Sequence, residues 1–250
     1  DGVMACKPIV RQDGAWLFPI SIWHNFVTRF CSMPEYEKSN VYISEDHGET
    51  LRYLGSAYHP DTTFDENCIC QRSDGSILML MRLSDGIAYS ESTDGGATWT
   101  KAERYCVPSP SARMYLGKFP TGEFFLIHNY NFTGRNNMAV LLSHDEGRSY
   151  DEVLMLDERS SVAYPDAFVD GDGKVYAVYD RERYGDKEIQ LAVFRKEDII
   201  AGGCVTPGAR IKGVVCKSYG ARRTAEEKQA GTLWPRKYCD PLRPPTTQLD

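Results

Sequence analysis

The sequence predicts an all-β fold of repeated four-stranded antiparallel units, and three observations carry that prediction. One turn recurs three times: Ser44-Glu45-Asp46-His47-Gly48-Glu49-Thr50-Leu51, Ser92-Thr93-Asp94-Gly95-Gly96-Ala97-Thr98-Trp99 and Ser143-His144-Asp145-Glu146-Gly147-Arg148-Ser149-Tyr150. The shared pattern is S-x-D-x-G-x-[TS]-[large apolar]. A near-even internal period of about 50 residues marks a repeat architecture. A second, tighter turn keeps step with it, at Asp13-Gly14, Asp74-Gly75, Thr121-Gly122 and Asp172-Gly173. Glycine accepts the positive φ that such hairpins need. Between the turns lie short runs rich in Val, Ile, Leu, Phe and Tyr, too short for ordinary helices.

Taken in order, the first turn of each unit leads into a strand at residues 15–22, 76–81, 123–127 and 174–178. A further strand follows at residues 40–43, 87–90 and 138–142 and ends at the S-x-D-x-G turn. One unit therefore reads strand A, Asp-Gly turn, strand B, loop, strand C, Asp-containing turn, strand D. Four antiparallel strands in about 50 residues is a blade of a β-propeller. A β-sandwich is the competing all-β reading, but it does not place the same turn at the same point of every unit. Four blade-like units occupy residues 5 to about 200. The chain enters directly on a strand-A pattern at Asp1, so an incomplete set of blades is expected, with a small four-bladed structure as the alternative. The expected division is residues 1–203 for the blades and residues 204–250 for an irregular C-terminal strand and tail. In that last part Lys, Arg, Pro and Gly are frequent, and only residues 211–215 resemble a strand.

At 250 residues and 42% hydrophobic, the chain has material for one sizeable β domain. A net charge of −6 gives no global attraction to nucleic acid or to anionic membrane. No apolar run approaches the roughly 20 residues that span a bilayer, and no signal peptide is visible. The eight cysteines contain no pair of C-x-x-C motifs, which argues against zinc. Cys68 and Cys70, two apart on a strand, face one side and read as apolar filling. No D-x-[DN]-x-[DN]-G calcium loop is present, and nothing calls for an organic cofactor. Asn131-Phe132-Thr133 fits a glycosylation acceptor.

Topology then sorts the polar residues. In an up-and-down blade the Asp-Gly and S-x-D-x-G turns share one end. Asp46, Asp94 and Asp145 are expected to accept hydrogen bonds from their own turns rather than to do chemistry. The opposite end is where the blades stop resembling each other. The mouths of the innermost strands carry Lys7, Glu66, Arg113, Tyr164 and Asp166. The ends of strand B supply Trp23, His24, Arg82, His128, Asn129, Tyr179, Asp180 and Arg181. Loops and strand ends on a rigid scaffold are where function concentrates. Glu182 and Arg183 read as a solvated turn, and Arg82 has Asp85 as an alternative surface partner.

The three repeated turns resemble the Asp-box of sialidases and related BNR-repeat proteins over about residues 1–200. More particular segments extend the likeness: Phe64-Asp65-Glu66-Asn67, Met79-Leu80-Met81-Arg82, Ser111-Ala112-Arg113, Phe132-Thr133-Gly134-Arg135, Tyr164-Pro165-Asp166 and Tyr179-Asp180-Arg181-Glu182-Arg183. The chain is similar to bacterial exo-α-sialidase-like proteins. The F-R-I-P segment found near the start of sialidases is absent. The resemblance implies a retaining glycoside hydrolase acting on a terminal acidic sugar, with the sugar carboxylate bound by arginines through bidentate, charge-assisted hydrogen bonds. It implies a Tyr nucleophile, the exception to the paired-carboxylate rule, with a Glu as its base and an Asp as general acid and base. Carried onto this sequence, Tyr164, Glu66 and Asp166 are the catalytic candidates. Arg82, Arg113, Arg181, Arg135, His128 and Lys7 are the substrate-binding candidates. The implied partner is a sialylated or other acidic glycan, with a lean toward a secreted or periplasmic bacterial setting. Two other readings stay open. One is a propeller hydrolase or lyase for another acidic polysaccharide, using His128 or His24 with Tyr164. The other is a non-catalytic carbohydrate-binding propeller with aromatic platforms such as Trp23 and Tyr115.

Overall fold

The computed structural model describes residues 2–3, 6–22 and 33–217. Four antiparallel sheets, one per sequence unit, form the blades of a β-propeller. In the first blade β1 (Gly2–Val3) and β2 (Ile9–Val10) both pair with β3 (Trp16–Ile22), followed by β4 (Ser39–Ser44) and β5 (Arg52–Ala57). The second runs β6 (Thr62–Gln71), β7 (Ile77–Leu83), β8 (Gly86–Ser92) and β9 (Glu103–Arg104). The third runs β10 (Tyr115–Lys118), β11 (Phe124–Asn129), β12 (Met138–Ser143) and β13 (Glu152–Asp157). The fourth runs β14 (Val162–Val169), β15 (Val175–Arg181), β16 (Glu188–Phe194) and β17 (Arg210–Lys217). Strand β17 contains the expected run at 211–215. The expected boundary at 203/204 falls in the connection that precedes it, so the fourth blade extends past that point. Residues 218–250, and Trp23 and His24 among the site candidates, lie outside the described residues.

The blades are held by three apolar seams. Leu17, Val41 and Ile43 of the first blade meet Ile69, Ile77 and Met79 of the second. Leu78, Leu80 and Ile87 meet Met114, Leu116 and Phe124. Phe125, Val140 and Leu142 meet Val175, Ala177 and Phe194. Middle strands β7, β11 and β12 are buried at every position, because both of their faces pack. They accordingly read as continuous apolar runs rather than as alternation. The outward face of the fourth blade differs, leaving Phe168, Tyr176, Val178 and Ile189 exposed.

One end of the propeller is a repeated latch. In each S-x-D-x-G turn the serine hydroxyl donates to the aspartate, and the box glycine N–H donates back to that hydroxyl. These distances are 2.7 and 2.7 Å at Ser44, 2.8 and 2.8 Å at Ser92, and 2.8 and 2.7 Å at Ser143. The closing Thr50, Thr98 or Ser149 then donates both its N–H and its hydroxyl to the same carboxylate. The box glycines sit at φ of 88–102°, and a Cβ on Gly147 would come 2.7 Å from Leu78 of the neighbouring blade. Only glycine meets both demands. Hydrogen bonds from Thr50 and Ser44 hold Asp46 at a pKa of about 2, and those from Thr98 and Ser92 do the same for Asp94. Burial pushes Asp145 upward, and the bonds from Ser149 and Ser143 overcome it to reach about 2. Their acceptor capacity is consumed within the turn, as the sequence reading expects.

The latch also crosses blades. Arg11 beside the first Asp-Gly turn donates to the carbonyl of Gly95 in the second blade's box. Ser73 donates to Glu146 in the third blade's box, at 2.7 Å from its N–H. Lys196 of the fourth blade pairs with Glu123 of the third at 2.5 Å. The fourth blade has no S-x-D-x-G turn. Helix α1 (Lys196–Ala201) stands there instead, and buried Asp198 collects the N–H groups of Arg195, Val205 and Thr206, each at 2.7 Å. Sequence reasoning missed this substitution, because the aspartate is the same but its donors lie seven and eight residues downstream.

Candidate active site

The other end gathers the non-repeating polar residues where inner strands open at the axis. Glu66 on β6 and Arg82 at the end of β7 form an ion pair of 2.8 Å, and each is only 3% exposed. The pairing of β6 with β7 is regular as far as Asn67 opposite Met81 and shifts register just beyond, where the two side chains meet. Arg82 also reaches across to the third blade, donating to the Ser111 hydroxyl at 3.2 Å and to the Ser111 carbonyl at 3.2 Å. The alternative partner Asp85 is engaged by Arg104 at 2.9 Å. Two residues after Ser111, buried Arg113 donates to the carbonyl of Pro165 in the fourth blade at 2.8 Å. Its other terminal nitrogen is 3.8 Å from the sulfur of Cys6 in the first blade. Lys7 pairs with Asp166 at 3.1 Å and donates to the Ala167 carbonyl at 2.6 Å. It also sits 5.7 Å from the ring centre of Tyr115.

Tyr164 is the backbone anomaly of this end. It has φ of +53°, and the pairing of β14 with β15 shifts register between Ala163 and Asp166. A bulky residue in left-handed space costs energy and persists only where its surroundings over-determine it. Those surroundings are two guanidiniums against the ring: Arg183 at 4.2 Å and Arg135 at 5.3 Å. Arg183 is itself anchored to Asp180 at 2.6 Å. Both arginines line a cleft of about 400 Å³ between the third and fourth blades, with Ser161, Asp180 and the 92% exposed Tyr184.

The structure thus links Glu66, Arg82, Arg113, Asp166, Lys7, Tyr164 and Arg135 through contacts that step from blade to blade around the axis. Two candidates fall elsewhere. His128 is fully buried beneath Tyr130, the ring centres 5.7 Å apart. Burial, only partly offset by the Asn129 backbone, lowers it to about 3. It is a neutral core imidazole, which corrects its expected place among the substrate-binding groups. Arg181 turns away along its own blade to Glu188 at 2.7 Å and Asp186 at 3.5 Å. Arg183, read from sequence as a solvated turn residue, is instead a partner of Tyr164. Ser111 and Cys6 belong to the group too. The Ser111-Ala112-Arg113 segment was the available signal for the first, and nothing in the sequence pointed to the second. Among the described residues no cluster of three or more His, Cys, Asp or Glu is placed to hold a metal, and no helix is long and apolar enough to cross a membrane.

A propeller with Asp-box latches at one end and a cationic, tyrosine-bearing mouth at the other defines the class. A family model described as BNR repeat-like domain matches residues 1–177, and the chain belongs to that family. No curated protein sequence matches the chain. Among solved structures it resembles a protein of unknown function from Dyadobacter fermentans (17% identity, TM-score 0.61), covering 75% of this chain and 52% of that one. It also resembles the intramolecular trans-sialidase from Ruminococcus gnavus (19% identity, TM-score 0.62), covering 82% and 46%. A third likeness is to an endo-arabinase from Bacteroides thetaiotaomicron (14% identity, TM-score 0.54), covering 86% and 81%. The chain spans about half the length of the first two. At such identities these likenesses speak for the fold, and function has to be argued from the site.

Proposed function

We propose that this chain carries the axial site of a glycoside hydrolase that removes a terminal acidic sugar, sialic acid foremost, from glycans. The observation that carries the reading is Tyr164, a phenol held in left-handed backbone between two guanidiniums at the mouth of the inner strands. In this reading Lys7, Arg82 and Arg113, contributed by three blades, turn their charge toward the same axial region. Guanidiniums in a water-poor floor attract a carboxylate far more strongly than they do at the surface. An acidic sugar is the substrate class that such a floor selects.

In this proposal Arg82 and Arg113 bind the sugar carboxylate, and Glu66 holds Arg82 in place. The Tyr164 oxygen attacks the anomeric carbon. A neutral phenol avoids bringing a second carboxylate against the one the sugar carries. Glu66 takes the phenol proton on its second carboxylate oxygen. Asp166 in its protonated form gives its proton to the departing glycosidic oxygen, and as the carboxylate, steadied by Lys7, it takes a proton from the water that releases the sugar. The solved trans-sialidase supports the choice of sugar. The arabinase keeps a neutral-sugar glycosidase as the reading to be beaten.

The test measures initial rates on a fluorogenic α-sialoside beside arabinan and a panel of uronic-acid glycans. Sialoside turnover that falls at least about a hundredfold in Tyr164→Phe and in Arg113→Ala is the expected result. Arabinan cleavage indifferent to Arg113→Ala overturns the acidic-sugar assignment. An unsaturated uronate product replaces it with a lyase. Glycan binding without turnover of any substrate leaves a binding module.

A further inference from the structure

Three cysteines converge on the axis beneath the mouth. Cys6, Cys68 and Cys70 line one cavity of about 170 Å³, together with Lys7, Tyr115 and Lys118. All three are buried and free, whereas Cys106, Cys204 and Cys216 are exposed. Cys6 belongs to the entry segment of the first blade, and Cys68 and Cys70 to β6 of the second. They pack in one apolar cluster with Met114 and Leu116 of the third. Two blades thus place thiols against each other at a point where the third supplies a cation: the Cys6 sulfur is 3.8 Å from Arg113 Nη2 and 4.0 Å from the Met114 carbonyl oxygen.

The three thiols are not equivalent. The neighbouring Cys68 thiol, helped by the Arg113 charge, holds Cys6 below the ordinary thiol range despite burial. The neighbouring Cys6 and burial push Cys68 upward. Burial, against the opposing charge of Lys118, raises Cys70 to about 12. Of the three, Cys6 beside the guanidinium gives up its proton most readily, and Cys68 and Cys70 less readily than an ordinary thiol. A thiol whose proton is loosened by a guanidinium is the better nucleophile toward a small oxidant that can enter the cavity.

We propose that Cys6 and Cys68 are a peroxide-oxidisable dithiol that closes into a disulfide between the entry segment of the first blade and the innermost strand of the second. The Cys6 thiolate attacks one oxygen of hydrogen peroxide. The O–O bond breaks, hydroxide leaves, and Cys6 becomes a sulfenic acid. The Cys68 sulfur then attacks the Cys6 sulfur, its proton leaves with the hydroxyl as water, and the S–S bond forms. In sum two thiols and one peroxide give one disulfide and two waters. Hydrogen peroxide is about the size of two water molecules, which the axial cavity has room for. Closure removes the sulfur charge from Arg113 and ties two blades covalently, independently of what the mouth binds.

The experiment exposes fully reduced protein to a small excess of hydrogen peroxide, alkylates the remaining thiols and digests without reductant. Mass spectrometry is expected to find a Cys6–Cys68 linked peptide pair lacking two hydrogens, and the oxidised protein is expected to melt at a higher temperature. Cys70→Ser leaves the link intact. Cys68→Ser stops the reaction at a Cys6 sulfenic acid that dimedone captures. Arg113→Ala, checked for folding by circular dichroism, slows closure by about tenfold. Recovery of Cys6 and Cys68 fully alkylated while the exposed cysteines oxidise overturns the proposal. So does a link from Cys6 to Cys70.

Discussion

At the latch end, Ser44, Ser92 and Ser143 each hand a hydroxyl proton to the aspartate two residues on. At the mouth end, no blade repeats another's polar group: Glu66 and Arg82 come from the second, Ser111 and Arg113 from the third, Tyr164 and Asp166 from the fourth. The two ends are made by the same strands running in alternate directions, yet the aspartates of the first are satisfied inside their own turns, while the second adds bonds across blades from Arg82 to Ser111, Arg113 to Pro165 and Lys7 to Asp166. Repetition there is structural bonding reproduced in place. Departure from repetition marks where neighbouring blades were fitted to one another. An acidic residue occurring in every unit is thus the weaker catalytic candidate, however chemical it looks.

The comparison is broken most severely at the ion pair. Arg82→Ala leaves the Glu66 carboxylate buried without its 2.8 Å partner. A loss of about 3–5 kcal/mol in urea unfolding is expected, and adding Glu66→Gln to that variant recovers part of it. An equal loss in both variants would mean that the pair is not what the mouth depends on.

Next comes acid. His128 is held neutral in the fold at a pKa of about 3, against 6.5 when exposed. A depressed folded pKa means that the unfolded chain binds the proton first, so stability is full above the unfolded value and is lost as pH falls. Between about pH 6 and pH 4 the expected slope is about 1.4 kcal/mol per pH unit. His128→Leu should flatten that slope in a series of denaturant melts.

A smaller change tests the latch. Asp145→Ala removes the acceptor for Ser143, Arg148 and Ser149. The site is half-exposed, so water replaces part of the loss, and about 1–2 kcal/mol is expected with hydrolytic activity unchanged. The latch aspartates carry depressed pKa values near 2. Their contribution is therefore present above about pH 4 and fades only as pH approaches about 2. The smallest effect belongs to Tyr164→Gly. Relief of the left-handed strain offsets the lost ring contacts, so stability is expected to stay within about 1 kcal/mol, while sialoside turnover disappears. A large destabilisation would make Tyr164 a packing residue.

The architecture was legible because its signals are local. The S-x-D-x-G turns and the Asp-Gly hairpins state their own bonding within five residues, and the apolar runs between them leave little choice of element. Inner-strand mouths could be located by counting back from those turns, which found Glu66, Arg113, Tyr164 and Asp166. What escaped are relations between distant positions. Arg82 meets Ser111 across 29 residues, and Arg113 meets Cys6 across 107. The bulge that turns Tyr164 against Arg183 has no composition of its own, and Asp198 hides its role because its donors sit beyond a helix. His128 looked accessible since it ends a strand, but the strand ends under Tyr130.

The forward reach of the latch, from Arg11 to Gly95, Ser73 to Glu146 and Glu123 to Lys196, has a consequence for how such a chain changes length. Each of the first three units carries a donor or acceptor that its successor uses. Duplicating a whole unit brings its own connectors along, whereas an insertion or deletion of part of one strands unmatched groups on both flanks.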